Sequence, residues 1–131
     1  MQLQVFRQEP EEYKDEAIHE AQIISSLSHS SIIKFIGYNP FDFNHHDNFT
    51  LITEYLRYGT LENILALEKR SICPKSWCDT KKVINIFGIA SGMSYSHSKG
   101  IVYGNLRLKN IPEDNNLYPK ICNLGFSFYN I

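Results

Sequence analysis

The sequence predicts an α+β fold, and three observations carry that prediction. Ile32–Tyr38 and Phe49–Leu56 are rich in β-branched and aromatic residues and read as neighbouring strands. A segment with helical apolar spacing, Asp15–Ser28, comes before them. A longer one, Asp79–His97, comes after them. One helix ahead of two adjacent strands implies a small antiparallel sheet with that helix packed on it.

Each element has its own justification. Residues 1–7, MQLQVFR, alternate in polarity and suggest a short strand. Pro10 and its charged neighbours read as a loop. In the first helix Ala17, Ile18, Ala21, Ile24 and Leu27 recur at helical spacing, and Asp15 and Glu16 suit the positive end of its dipole. His29-Ser30-Ser31 breaks it. Asn39-Pro40 ends the next strand, and the polar stretch to Asn48 connects it to the following one. Tyr58-Gly59 is a turn, after which Thr60 can cap a helix over Glu62–Leu67. Lys69–Ser76 contains Pro74 and reads as a loop. In the long helix Val83, Ile86, Phe87, Ala90 and Met93 form an apolar stripe, which Ile84 and Ile89 widen. Lys99-Gly100 stops that helix. Ile111–Glu113 and Leu117–Cys122, joined at Asp114-Asn115-Asn116, read as a hairpin whose first strand Pro112 weakens.

At 131 residues the chain is one domain or part of one, long enough to bury a core. A net charge of −1 without a basic cluster argues against nucleic-acid and membrane-surface partners. No run is apolar enough to span a bilayer, and the first residues lack the layout of a signal peptide. Cys73, Cys78 and Cys122 are odd in number and lack a paired spacing, which points to a reduced, cytoplasmic protein. His45-His46 reads as an exposed loop pair rather than a zinc site. Asn48-Phe49-Thr50 matches a glycosylation acceptor by chance and reads better as strand.

The stretch Tyr95–Gly125, YSHSKGIVYGNLRLKNIPEDNNLYPKICNLG, decides the functional reading. It resembles the catalytic loop and metal-binding turn of a eukaryotic protein kinase, written H-R-D-L-x-x-x-N and D-F-G in that family. Here the loop reads Tyr103-Gly104-Asn105-Leu106-Arg107-Leu108-Lys109-Asn110, and the turn reads Asn123-Leu124-Gly125. The resemblance places Asn105 at the catalytic base and Asn123 at the main magnesium ligand. Asn110 matches the second metal ligand, and Arg107 keeps the positive charge of the usual lysine. A neutral amide does not take a proton from a hydroxyl at useful pH, and it offers a hard cation only a partial charge. Phosphoryl transfer relies on positioning and charge, so losing both acids removes most of that chemistry.

The resemblance covers almost the whole chain, in particular to the tyrosine-kinase-like group. Glu20, within AIHEAQIISSLSHSSIIKFIGY, looks like the helix glutamate that pairs with a strand lysine. LITEYLRYGTLENIL resembles the adenine hinge. It implies a gatekeeper at Thr53 and adenine contacts from the Glu54 carbonyl and the Leu56 amide. Aligning V-A-I-K with Met1-Gln2-Leu3-Gln4 puts Gln4 at the phosphate-binding lysine, leaving Glu20 without its cation and facing water. Pro112 falls where a leucine lies beneath adenine. Ile24, Tyr103 and Leu124 match a column of apolar residues that joins the two lobes.

The expected fold is therefore a partial protein-kinase-like one: residues 1–56 as an N-lobe remnant with the hinge, and 57–131 as the start of the C-lobe. The glycine-rich loop, the activation segment and every later helix are missing from this alignment. The expected function is that of a truncated pseudokinase acting by protein binding, with ATP and magnesium implied by resemblance only. The alternatives are a residual ATP-binding protein kinase or a piece of a longer kinase gene product. A helix that has lost the later helix it packs on in the family implies a protein partner or self-association. Phe126, Phe128 and Tyr129 are further candidates for partner contact.

Overall fold

The computed structural model of the chain describes residues 2–5, 12–123 and 128–129. Three strands, β1 (Gln2–Val5), β2 (Phe35–Asn39) and β3 (Thr50–Thr53), form an antiparallel sheet in the order β1-β3-β2. Helix α1 (Glu12–Ser25) lies between β1 and β2 in sequence. Its buried side chains Ala21, Ile23 and Ile24 supply apolar surface to the main core, and Ala17 is buried beside them in the helix. Complete burial of an isoleucine contributes about 1.5–3 kcal/mol. Helices α2 (Leu61–Lys69) and α3 (Asp79–Ser98) follow, then β4 (Ile101–Val102), which pairs with β5 (Phe128–Tyr129).

Several boundaries differ from the sequence expectation. Helix α1 starts and ends three residues earlier than Asp15–Ser28. At its end, the Ser25 and Ser26 hydroxyls donate back to the carbonyls of Gln22 and Ile23. The strand expected from Ile32 begins only at Phe35, because Ile32 and Ile33 are recruited elsewhere. Ile33 N–H donates to Ile121 O at 2.9 Å, and Ile121 N–H donates to Ser31 O at 2.8 Å. That parallel bridge brings the chain before the sheet onto the 117–121 segment. The strand expected over Phe49–Leu56 shortens to Thr50–Thr53.

In the second half the local signals hold. Thr60 caps α2 in a reciprocal capping box with Asn63. Gly100, with φ of 74°, lies just past α3 in the left-handed region that glycine adopts without strain. The predicted hairpin is present in reduced form, as one bridge from Glu113 to Pro119. Two prolines explain the reduction, since neither Pro112 nor Pro119 donates a hydrogen bond. Pro112 still accepts one from Lys120 N–H, at 2.8 Å. Asp114 builds the turn by accepting from the N–H groups of Asn116 and Tyr118. A second core forms around Leu61, Ile64, Trp77, Ile111 and Leu117.

Helix α3 packs by its small side. Its buried residues are Asn85, Gly88, Gly92 and Ser96. A Cβ on Gly88 would sit 2.8 Å from Pro119 Cγ and 3.0 Å from Ser31 Oγ. Absence of that carbon is what permits the close approach. The apolar residues Val83, Ile86 and Phe87 are 64%, 70% and 73% exposed. Among the described residues no helix is long and apolar enough to cross a membrane.

Candidate functional site

The site grows from one buried side chain, Asn110. It ends a single turn of 3₁₀ helix, Leu108–Asn110, that closes the polar loop after β4. Its amide Nδ2 donates to the backbone carbonyl of Asn105 at 2.8 Å, which fixes the shape of the loop. Its Oδ1 accepts from Asn123 Nδ2 at 2.6 Å. Its backbone carbonyl accepts from Cys122 N–H at 3.1 Å. Tyr103 adds a fourth link, its hydroxyl donating to the Cys122 carbonyl. Three asparagines and a tyrosine thus tie the loop to the segment that ends the hairpin. Asn123 has a φ of 58°, a left-handed conformation that asparagine tolerates better than most residues.

Burial and the carboxylate of Glu20 set the electrostatics of this corner. Burial, followed by the nearby Cys122 and Glu20, pushes the Tyr103 hydroxyl well above its usual range. Burial, followed by Glu20, pushes the Cys122 thiol up to about 12, so it stays protonated. Glu20 is only 4% exposed, which corrects the expectation that it faces water. Helix α1 aims it inward, where it lines a cavity of about 30 Å³ with Ile24, Leu51, Thr53 and Asn123. That volume is roughly the share of one water molecule in the liquid.

Sequence-predicted site residues separate into those brought together and those that are not. Glu20, Thr53 and Asn123 share the small cavity, and Asn123 connects it to Asn110 and Asn105. Gln4 sits in β1 opposite Leu51, beside the strand that carries Thr53. The Glu54 carbonyl accepts from the Thr53 hydroxyl at 3.3 Å. Its carboxylate turns to Lys34 N–H at 2.9 Å and to Lys120 Nζ at 3.6 Å. Leu56 packs its side chain on the main core. Pro112 bridges Thr60 at the start of α2, and Arg107 is exposed. Ile24 and Tyr103 belong to one buried cluster; Leu124 and Gly125 lie outside the described residues. Reading the motif residue by residue missed Cys122, whose backbone takes two of the four links. Its place directly before Asn123 was the available signal.

These residues do not fit a magnesium site. The Asn110 oxygen that would meet a cation already accepts from an amide, and neither Asn105 nor Asn123 brings a negative charge.

A sequence profile described as protein tyrosine and serine/threonine kinase matches residues 3–130. The chain belongs to that family. It is 32% identical over 113 residues to the receptor-like kinase LIP1 of Arabidopsis thaliana, covering 84% of this chain and 17% of that protein. It is also 30% identical over 118 residues to human receptor-interacting serine/threonine-protein kinase 1, covering 90% and 16% respectively. A third relative, U-box domain-containing protein 34 of Arabidopsis thaliana, is 29% identical over 128 residues, covering 95% of this chain and 15% of that protein. The chain therefore spans about a sixth of each of these three relatives.

Proposed function

We propose that this kinase-family domain transfers no phosphoryl group and acts by binding protein. The hydrogen bond from Asn123 to Asn110 carries the reading, because a neutral amide occupies the oxygen that a metal would need. Asn105 adds to it, since an amide at the position of the base cannot accept a hydroxyl proton. A protein-binding role draws support from Val83, Ile86 and Phe87, which present large apolar side chains to solvent along one face of α3. Self-association through that face is the simplest form of such binding.

A phosphate-transfer assay with labelled ATP tests the first part. The expected result is no transfer, and measurable turnover by the parent chain overturns the reading. Nucleotide binding without chemistry is the second reading, favoured by the hinge Thr53–Leu56 next to the buried Glu20. Thermal-shift titration with ATP, with and without magnesium, separates the two: a saturable shift supports the second. The variant Asn123→Asp replaces the donor with a second acceptor against Asn110. It should acquire a magnesium-dependent rise in Tm that the parent lacks; equal responses would remove the argument from the amide bond.

A further inference from the structure

Glu113 and Asn85 stand apart from this site and have no role in it. Glu113 is completely buried, and among the described residues neither carboxyl oxygen has a hydrogen-bond partner. Asn85, on α3, is 2% exposed, and its Oδ1 is also unpartnered. Its Nδ2 is fully used, donating to Lys81 O at 2.9 Å and to Leu117 O at 3.0 Å. The two side chains are neighbours. Among the described residues these three buried acceptor atoms have no donor, and one added proton would pair two of them. An ionised carboxylate cannot supply it, whereas a carboxylic acid can, through its own O–H.

We propose that Glu113 is held in the folded chain as a neutral acid whose O–H donates to Asn85 Oδ1, forming a pH-sensitive latch between α3 and the 113–119 hairpin. The surrounding charges leave this arrangement undisturbed. Lys81 of α3 turns its ammonium to Asn116 O at 2.7 Å and lies over the Tyr118 ring. Lys120, on the far arm of the hairpin, reaches toward Glu54. On α2 and at the start of α3, Glu68 and Lys82 pair with each other. Asp114, the adjacent carboxylate, opposes ionisation of Glu113. Burial first, and Asp114 second, raise the Glu113 carboxyl to about 8, against a smaller lowering by Asn85. The backbone holds the acid in place, since Glu113 N–H donates to Gly59 O at 2.9 Å.

The direction of the pH effect follows. The unfolded chain releases this proton near 4.5 and the folded chain near 8. Between those values the folded chain carries one proton more, so raising the pH favours unfolding. The contribution is complete below 4.5 and gone above 8.

The test is chemical unfolding of the 131-residue chain across that window, beside the variant Glu113→Gln, whose amide mimics the neutral acid. The unfolding constant of the parent relative to the variant should rise by roughly tenfold per pH unit inside the window. A parallel pair of curves overturns the proposal. Infrared spectroscopy of the parent alone gives an answer that does not depend on the variant folding. At about pH 6.5, two units above the ordinary glutamate range, a protonated-carboxyl C=O band should persist and vanish on unfolding. Its absence also overturns the proposal.

Discussion

Helices α1 and α3 are built on opposite plans. In α1 the inward residues are apolar apart from Glu20, with Ala17, Ile23 and Ile24 no more than 1% exposed. In α3 the inward residues are Asn85, Gly88, Gly92 and Ser96, while Val83, Ile86 and Phe87 point outward. Helix α1 is held by apolar burial against the sheet. Helix α3 adds to the packing of Ile89, Met93 and Tyr95 a close approach and polar links: Asn85 to Leu117 O, Ser96 to Ile101 O at 2.9 Å, and Ser91 to His29 at 3.1 Å. The lesson concerns what a helical apolar pattern means. In α1 it marks the side facing this domain's own core. In α3 only part of it does so: Ile89 and Met93 pack against the two cores, while Val83, Ile86 and Phe87 mark a side that this chain leaves open.

The comparison can be broken at three points. The largest effect should come from Ile24→Ala in α1, which empties a fully packed position and costs about 2–5 kcal/mol by denaturant unfolding. A loss well under that range would mean that α1 is not held by its apolar face. Next, Gly88→Val should cost about 1–3 kcal/mol through overpacking against Pro119 and Ser31. A neutral result would mean that α3 does not need its close approach. Smallest for the folded monomer is Phe87→Glu, which should change its stability by about 0.5 kcal/mol or less. The same variant should lower the sedimentation coefficient if the outer face binds a second copy. A variant that loses stability as Ile24→Ala does would show the outer face to be core.

Some of this was legible in the residues and some was not. The helix stop at Gly100, the cap at Thr60 and the turn at Asp114 are short-range devices, and each works where its residue stands. The kinase resemblance could be read because Asn105, Asn110 and Asn123 keep their spacing. What spacing could not convey is that Asn123 donates to Asn110, since the two residues are joined only after the hairpin folds back. Glu20 misled for a related reason. In the sequence, a glutamate whose aligned lysine position is glutamine reads as a solvated charge, yet α1 is fixed by its alanines and isoleucines and carries Glu20 inward with them. Glu113 carried no signal either, because its burial depends on α3 and the Gly59 turn closing over it.

By itself the sequence determined the family, the order of helices and strands, and the replacement of two acids by amides. These follow from side-chain chemistry and from periods of a few residues along the chain. Only the tertiary structure decided which face of α3 is inside, where Ile32 and Ile33 pair, and that a buried acid meets an asparagine without a donor between them. Those outcomes depend on which distant backbones come within bonding distance, and no local pattern of residues encodes that distance.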